Sequence, residues 1–227
     1  MGAIVLVLSI ILLYFTYEAV RAYLEIPGVI EEIYASGRLG LRLEDMPGKR
    51  LDALLAVEDP GFYAHNGIDL STPGAGWTTI TQGLVKIYFF DGFSPGFLKI
   101  NKLKQSVIAM VFDARVEKRT QLRIFINTVY LGTRDGKDIV GFQNGAHAYY
   151  NRELTALTDE EFLSLVAMII APNDLDPLGH PAENHERVAR IGRLLEGECA
   201  PASVDDVYYR NCPPPDSLRP GSRTPLR

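Results

Sequence analysis

A run of apolar residues from Ala3 to Tyr17 constrains the fold of this chain more than any other feature. A membrane-spanning helix needs about 20 residues, and the run reaches that length if it continues to Tyr23. It lacks both a basic stretch before it and a small-residue cleavage site after it, so a removable signal peptide is disfavoured. We therefore predict an uncleaved membrane anchor over residues 1–23. The alternative is a first helix buried in a soluble core.

The charge pattern argues against nucleic acid as the main partner and indicates an anionic ligand. The 227 residues carry a formal net charge of −5, whereas nucleic-acid-binding domains are basic. The segment from Lys86 to Arg123 nevertheless holds eight basic and three acidic residues. Such a basic segment suits an anionic ligand or anionic lipid headgroups. The alternative is a pair of solvated amphipathic helices.

The two cysteines, Cys199 and Cys212, both lie near the C-terminal end of the sequence. They do not have the Cys-x2-Cys spacing of a zinc site, and the four histidines are scattered, so we predict no metal site. Two nearby cysteines behind a membrane anchor indicate a disulfide in an oxidising compartment.

Helical periodicity recurs along the chain, and no pair of strands joined by a hairpin turn stands out, so we predict a mainly α fold. The helix that begins near residue 100 is expected to turn four residues inward, Leu103, Val107, Met110 and Val111. The predicted domains are an anchor at 1–23, a glycine-punctuated connector at 24–48, a main domain at 49–197, and a proline-rich tail at 198–227 that holds the cysteines and is expected to be unfolded from 212 to 227.

Glu58 is the first candidate for acid–base chemistry. It lies on the same predicted helical face as Leu51, Leu54 and Leu55, and Pro60 ends that helix just after it. Partial burial and the negative end of the helix dipole both disfavour the charged carboxylate, so the pKa of Glu58 should be raised. Such a group suits proton transfer near neutral pH. The alternative is a boundary glutamate paired with an arginine.

A polar stripe on the next predicted helix is formed by Thr79, Gln82 and Lys86. A hydroxyl, an amide and an ammonium group opposite a core-facing stripe are typical of a helix that lines a ligand cleft. An ordinary surface helix has the same pattern.

Five motifs in order resemble those of glycosyltransferase family 51, which includes monofunctional biosynthetic peptidoglycan transglycosylases and a domain of class A penicillin-binding proteins. The first is complete, with Glu58, Asp59, Phe62, His65, Gly67 and Asp69. The second keeps Gly76, Thr79, Ile80, Thr81, Gln82 and Lys86, but has Thr78 for serine and departs at Trp77 and Gly83. The third, Arg-Lys-x-x-Glu in the family, runs from Asn101 and Lys102 to Gln105. The fourth and fifth keep Phe125, Ile126, Asn127, Tyr130, Gly132, Leu157, Glu161, Ala171 and Pro172.

The resemblance implies a lysozyme-like helical domain that polymerises lipid II into glycan strands, as a divergent member of the family. The sequence after the domain is too short for a transpeptidase domain, so we expect a monofunctional enzyme. The implied location is the cell inner membrane, crossed once, with the domain on the periplasmic side. The implied partners are lipid II, the growing glycan strand, the membrane and cell-wall synthesis proteins.

The resemblance also implies roles for individual residues. Glu58 is expected to be the catalytic base. Gln105 is expected to occupy a second catalytic position, where the family has a glutamate, and to lower the rate. Lys86, Lys102 and Lys104 are expected to neutralise the departing pyrophosphate. No cofactor is required, although a divalent cation could help to neutralise that group. The other expected substrate-binding residues are Asp59, Phe62, His65, Thr79, Gln82 and Asn127.

The residue at position 105 bears on whether the chain is an active enzyme or a non-catalytic relative. We expect Gln105 to face the same anionic group as Lys102 and Lys104, and Gln105→Glu to raise a low native activity. The alternative is a non-catalytic relative that binds lipid-linked glycan or a wall-synthesis partner, since the loop from Asp69 to Gly76 is also short for the family. A lysozyme-like hydrolase is disfavoured because a neutral glycan needs no basic segment.

Overall fold

A computed structural model of the chain describes residues 2–92, 94, 96 and 99–212. The mainly α prediction is confirmed, while the prediction of an unfolded tail falls outside the described residues for positions 213–227. The elements in chain order are α1 (Gly2–Ala35), α2 (Gly48–Glu58), α3 (Ile80–Phe89), α4 (Ile100–Arg115), α5 (Lys118–Thr128), β1 (Tyr130–Arg134), β2 (Lys137–Val140), α6 (Phe142–Tyr150), α7 (Asp159–Met168) and α8 (Pro181–Leu195). Short 3-10 helices cover Leu43–Asp45 and Leu154–Ala156.

Helix α1 continues without a break through Pro27, so the predicted connector at 24–48 is wrong in its first half. A proline in a helix interior costs about 3 kcal/mol. Ile26 and Ile33 are buried, however, and burial of an isoleucine contributes about 1.5–3 kcal/mol. Packing of this part of α1 therefore offsets the cost of Pro27.

The first half of α1 is apolar and exposed. By length and composition, α1 is the one helix among the described residues that could cross a membrane. Every side chain from Gly2 to Tyr17 except Phe15 is exposed, so the alternative of a helix buried in a soluble core is wrong. The second half packs on the domain, mainly against α4.

The buried face of α4 differs from the predicted one. Leu103 and Met110 are 53% and 42% exposed, so the expectation that they point inward is wrong. Helix α4 has apolar residues on two sides, and Leu103 lies on the side that meets α1, where an apolar cavity of about 580 Å³ separates the two helices. The residues that α4 buries are Gln105, Ile108, Ala109 and Phe112.

Strands β1 and β2 form an antiparallel hairpin that the sequence prediction missed. Asp135 and Gly136 make its turn, with positive φ angles of 51° and 73°. An Asp-Gly pair is a strong hairpin signal because both positions of such a turn favour positive φ. The flanking runs are too short and too polar to stand out as strands.

Residues 199–212 form a loop closed by a disulfide between Cys199 and Cys212, here called the disulfide loop. Tyr209 and Cys212 are buried in the hydrophobic core. The described part of the predicted tail is therefore packed, while the segment predicted to be unfolded, 212–227, lies outside the described residues except for Cys212. The loop has no helical or strand periodicity, so its few buried side chains gave no signal in the sequence.

Candidate active site

The end of α2, the loop before α3 and the disulfide loop contribute to a cavity of about 410 Å³, here called the Glu58 cavity. Its volume lies in the range of small-molecule sites. The polar, charged and aromatic residues that line it are Glu58, Trp77, Thr78, Thr79, Lys86, Phe125 and Arg187.

Glu58 ends α2, as the sequence predicts, and its side chain keeps part of its surface open to the cavity. Burial raises the pKa of Glu58 to about 7, against the opposing charge of Arg187 and with a further rise caused by Asp59. The predicted direction of the shift is confirmed. The described part of the chain offers the carboxylate no hydrogen bond. This carboxylate is therefore able to accept a proton near neutral pH.

Arg187 is a cavity residue that the sequence prediction missed, because it belongs to none of the motifs. Its Nε donates to the Ala167 carbonyl at 2.9 Å and its Nη1 to the Val207 carbonyl at 2.6 Å. Burial lowers the pKa of Arg187, and Glu58 raises it. The alternative of a glutamate in a direct ion pair with an arginine is therefore wrong in its geometry. Arg187 acts on Glu58 through its charge, while its Nε and Nη1 donate to backbone carbonyls.

Lys86 and Lys102 supply positive charge at the cavity. Lys86 lines it, and the Nζ of Lys102 donates to the hydroxyl of Thr78, a lining residue, at 2.9 Å. Burial and the nearby charge of Lys86 lower the pKa of Lys102 to about 8. Two adjacent cations next to an open cavity favour an anionic ligand.

Thr79 and Gln82 form a capping box that starts α3. The backbone N–H of Gln82 donates to the Thr79 hydroxyl at 3.1 Å, and the backbone N–H of Thr79 donates to the Gln82 side chain at 3.1 Å. The Gln82 amide also donates to Ser106 on α4 at 3.0 Å. The predicted polar stripe is thus divided, because Thr79 and Lys86 line the cavity while Gln82 is buried between α3 and α4.

Asp59 and Phe62 are buried and His65 is partly buried, and none of them is among the described residues that line the cavity. Asp59 accepts hydrogen bonds from the Ile80 backbone at 2.9 Å and from His65 Nε2 at 3.0 Å. His65 Nδ1 accepts from the Gly67 backbone at 3.1 Å, so the ring carries its proton on Nε2. These residues join the end of α2 to the start of α3 and thereby fix Glu58 relative to Thr79.

Gln105 does not face an anionic ligand, and that expectation is wrong. Its side chain is 1% exposed, and its amide nitrogen donates to the backbone carbonyl of Gln82 at 2.6 Å. Its amide oxygen is buried with no hydrogen-bond partner. Residue 105 shares the helical face of Ile108 and Ala109, which α4 turns toward the core.

Lys104 also points away from the Glu58 cavity. Its Nζ lies 2.9 Å from the carboxylate of Glu18 on α1, which is itself buried and paired with Arg21 at 3.0 Å. The structure therefore uses Lys104 to hold α1 against α4. The expected group of three pyrophosphate-binding lysines is reduced to Lys86 and Lys102.

Asn127 lies at a different cavity, of about 820 Å³, which Arg38 and Gln143 also line. Its side-chain oxygen accepts from the Leu41 backbone N–H, and its amide nitrogen donates to the Leu41 carbonyl, each at 2.9 Å. Asn127 thus ties α5 to the segment after α1, and the structure does not bring it to Glu58.

The disulfide loop forms one wall of the Glu58 cavity. Val207 lines the cavity and accepts the hydrogen bond from Arg187. Further hydrogen bonds join the loop to the opposite parts of the wall: the Tyr209 hydroxyl to the Val57 carbonyl at 2.6 Å, the Gly74 N–H to Ser203 at 2.9 Å, and the Gly76 N–H to Val204 at 2.8 Å. The loop therefore positions the residue before Glu58 and the glycines before Trp77.

A family model described as transglycosylase matches residues 28–196. The chain is 31% identical over 171 residues to penicillin-binding protein 1F of Bacillus subtilis, 31% over 172 residues to penicillin-binding protein 1B of Escherichia coli, and 29% over 181 residues to penicillin-binding protein 1B of Vibrio cholerae. These matches cover 70%, 70% and 74% of this chain but 23%, 20% and 23% of the relatives. The chain thus spans less than a quarter of the length of these curated relatives.

Proposed function

The chain belongs to the transglycosylase family, and from that membership we propose that it is a peptidoglycan glycosyltransferase that polymerises lipid II into glycan strands in cell-wall synthesis. The observation that carries the proposal is the Glu58 cavity, which combines a carboxylate with a pKa of about 7 and the ammonium group of Lys86. Transfer from a pyrophosphate to a sugar hydroxyl needs both a base and positive charge near the leaving group.

Glu58 is the proposed general base. Its ionised carboxylate takes the proton of the acceptor's 4-hydroxyl while that oxygen forms a bond to the anomeric carbon of the lipid-linked glycan. The bond from that carbon to the pyrophosphate oxygen breaks, and its electron pair leaves with the lipid pyrophosphate. The displacement occurs in one step, so the configuration at the anomeric carbon inverts.

Lys86 and Lys102 are the proposed pyrophosphate-binding residues. Their support is the position of Lys86 in the cavity wall and the contact of Lys102 with Thr78. Arg187 is not assigned this role, because its Nε and Nη1 donate to backbone carbonyls. The chemistry needs no cofactor, and a divalent cation that arrives with the pyrophosphate would add to the charge of the two lysines.

The proposed location is the cell inner membrane, crossed once by α1, with the Glu58 cavity on the periplasmic side. The exposed apolar half of α1 supports the membrane location, and the disulfide supports an oxidising compartment. The proposed partners are lipid II, the growing glycan strand and other cell-wall synthesis proteins.

Incubation of the full chain with labelled lipid II, followed by separation of the glycan products, tests the proposal. The native protein is expected to form glycan strands, and Glu58→Gln is expected to lower the rate about 10²–10⁴-fold, the usual contribution of a general base. The amide keeps the size of the carboxylate, so the variant should fold normally. Glu196→Gln, the same change at an exposed site, is the control and should leave the rate unchanged.

Two results would contradict the proposal. If the native protein binds lipid II without forming glycan strands, the non-catalytic alternative is correct. If Glu58→Gln polymerises as fast as the native protein, Glu58 is not the base.

A further inference from the structure

Trp77 is the one tryptophan of the chain, and its position at the Glu58 cavity has no role in the chemistry described above. Its side chain lines the cavity and is 55% exposed. Trp77 is also one of the positions at which the second motif departs from the family pattern, so the motif gives it no role. A large indole left open at a cavity exposes apolar surface to water, which a bound ligand would cover.

The backbone on both sides of Trp77 is held in place. Before it, the Gly76 N–H donates to the Val204 carbonyl of the disulfide loop at 2.8 Å. After it, the Thr78 hydroxyl accepts a hydrogen bond from Lys102 at 2.9 Å. The indole is thus presented by an ordered segment, which lowers the entropy lost when a ligand binds to it.

The surroundings of Trp77 indicate the class of ligand. Its neighbours in the cavity wall include Glu58, Thr79 and Lys86, which offer hydrogen bonds and charge. The described residues that line the cavity between α1 and α4, in contrast, are all apolar or aromatic, as suits a hydrocarbon. A ligand of the Glu58 cavity must therefore combine an apolar face with polar edges. A pyranose ring has this form, with C–H bonds on its faces and hydroxyl groups at its rim.

We propose that Trp77 is a sugar-binding residue that stacks on a pyranose ring of the glycan in the Glu58 cavity. The identity of the glycan rests on the proposed function, whereas the stacking rests on the exposure and position of Trp77. Trp77 would then contribute to the choice and orientation of the sugar next to Glu58, while Lys86 and Lys102 bind the charged part of the substrate.

Because the chain has a single tryptophan, its fluorescence reports on this site directly. The full chain in detergent micelles is titrated with a neutral tetrasaccharide of N-acetylglucosamine. A saturable change in tryptophan emission is expected. In calorimetry, Trp77→Ala should weaken binding about tenfold, the effect of losing one aromatic contact, and Trp77→Phe should retain most of the affinity.

Tyr63→Ala is the matched control. Tyr63 is 59% exposed and is not among the described residues that line the Glu58 cavity. This variant should bind the tetrasaccharide as the native chain does. Equal affinity of native protein and Trp77→Ala would overturn the proposal. It would also be overturned if vesicles without any sugar changed the emission while the tetrasaccharide did not, because Trp77 would then be a membrane-interface residue.

The experiment separates this proposal from the proposed function. Glu58→Gln should keep the fluorescence response to the tetrasaccharide while it loses polymerisation. A response without polymerisation by the native chain would support the stacking and contradict the proposed function. Polymerisation without a response would support the function and contradict the stacking.

Discussion

Glu58 and Lys102 titrate close to one another in pH, with pKa values of about 7 and about 8. A general base is active when ionised, so kcat/KM should rise as the pH increases through about 7. A cationic lysine is lost as the pH increases through about 8, so kcat/KM should then fall. Lys102→Arg should move only the alkaline limb upward, because a guanidinium stays protonated throughout this range. An alkaline limb that does not move in Lys102→Arg would assign it to another group.

The buried position of Gln105 argues against the expectation that Gln105→Glu increases the activity and predicts a loss of stability instead. A carboxylate at this position would meet the Gln82 carbonyl, an acceptor, where the amide now donates at 2.6 Å. The variant should lose about 1–3 kcal/mol of the free energy of unfolding, as for a buried polar group without a partner. Burial should raise the pKa of the new carboxyl group, so the loss should grow as the pH rises above about 4. Denaturant midpoints at several pH values measure this effect.

Gln105→Met is the matched control for that variant, since it has a similar length and no charge. Its loss of stability should not vary with pH in the same way. A Gln105→Glu protein that is as stable as the native protein at high pH and polymerises faster would restore the original expectation.

Sequence reasoning at this scale succeeded where a local signal existed. The place of Glu58 could be predicted because helical spacing and Pro60 are local. Its neighbour Arg187 could not, because their proximity depends on how α8 packs against α2. Lys104 and Gln105 were misplaced because a motif gives the residue type but not which face of α4 is buried.

Among the larger elements, the disulfide loop should affect both stability and activity. The cysteines are 13 residues apart, and closing a loop of that size contributes about 3 kcal/mol in the chain-entropy model. Cys199→Ser with Cys212→Ser should lower the free energy of unfolding by about that amount and reduce the polymerisation rate, because the loop contacts Val57 and Arg187. Chemical denaturation and the lipid II assay measure the two effects.

A reducing agent provides the control for the disulfide prediction. It should slow the native protein and leave the double cysteine variant unaffected. If the double variant is destabilised yet polymerises at the native rate, the loop does not shape the cavity.

The buried face of a helix could be predicted where the helix has one apolar face, and could not be predicted where it has two. Helix α7 begins with a capping box of Thr158 and Glu161, a signal that is local in the sequence. Helix α4 has apolar residues on both its core side and its α1 side, so periodicity alone could not choose its inward face. The hairpin was missed because the Asp135–Gly136 signal stands between strands of only five and four residues.

In the whole molecule, the Glu18–Lys104 pair should couple α1 to the lysozyme-like domain. Removing Glu18 takes away the carboxylate that Lys104 contacts, and removing Lys104 leaves the buried Glu18 with Arg21 alone, so Glu18→Gln and Lys104→Gln should each be destabilising. The double variant should lose less than the sum, with a coupling of about 1 kcal/mol or more, because the two residues are in contact. Unfolding of the four proteins in detergent measures this coupling.

Arg119 and Glu44 serve as the reference pair, at 2.8 Å but with both side chains more than 60% exposed. Their coupling should be smaller, about 0–1 kcal/mol. Additive losses at Glu18 and Lys104 would show that α1 is held by apolar packing alone.

The overall fold could be predicted because most helices carry their own periodicity and end signals. The attachment of α1 and of the disulfide loop could not, since each depends on a few contacts between residues far apart in the sequence. The hydrogen bond from Tyr209 to Val57 is one such contact. Neither a tyrosine nor a valine in a sequence indicates which distant residue it will contact.

The disulfide loop also bears on the timing of biosynthesis. The ribosome makes this loop after Glu58, Trp77 and Arg187, so the cavity lacks a wall while the rest of its residues are already present. Closure of the loop needs oxidation, which the cytosol opposes and an exporting cell provides only beyond the membrane. A newly made chain would therefore complete its cavity after translocation, in the compartment proposed for its activity, and would be kept from premature use of the precursor during synthesis.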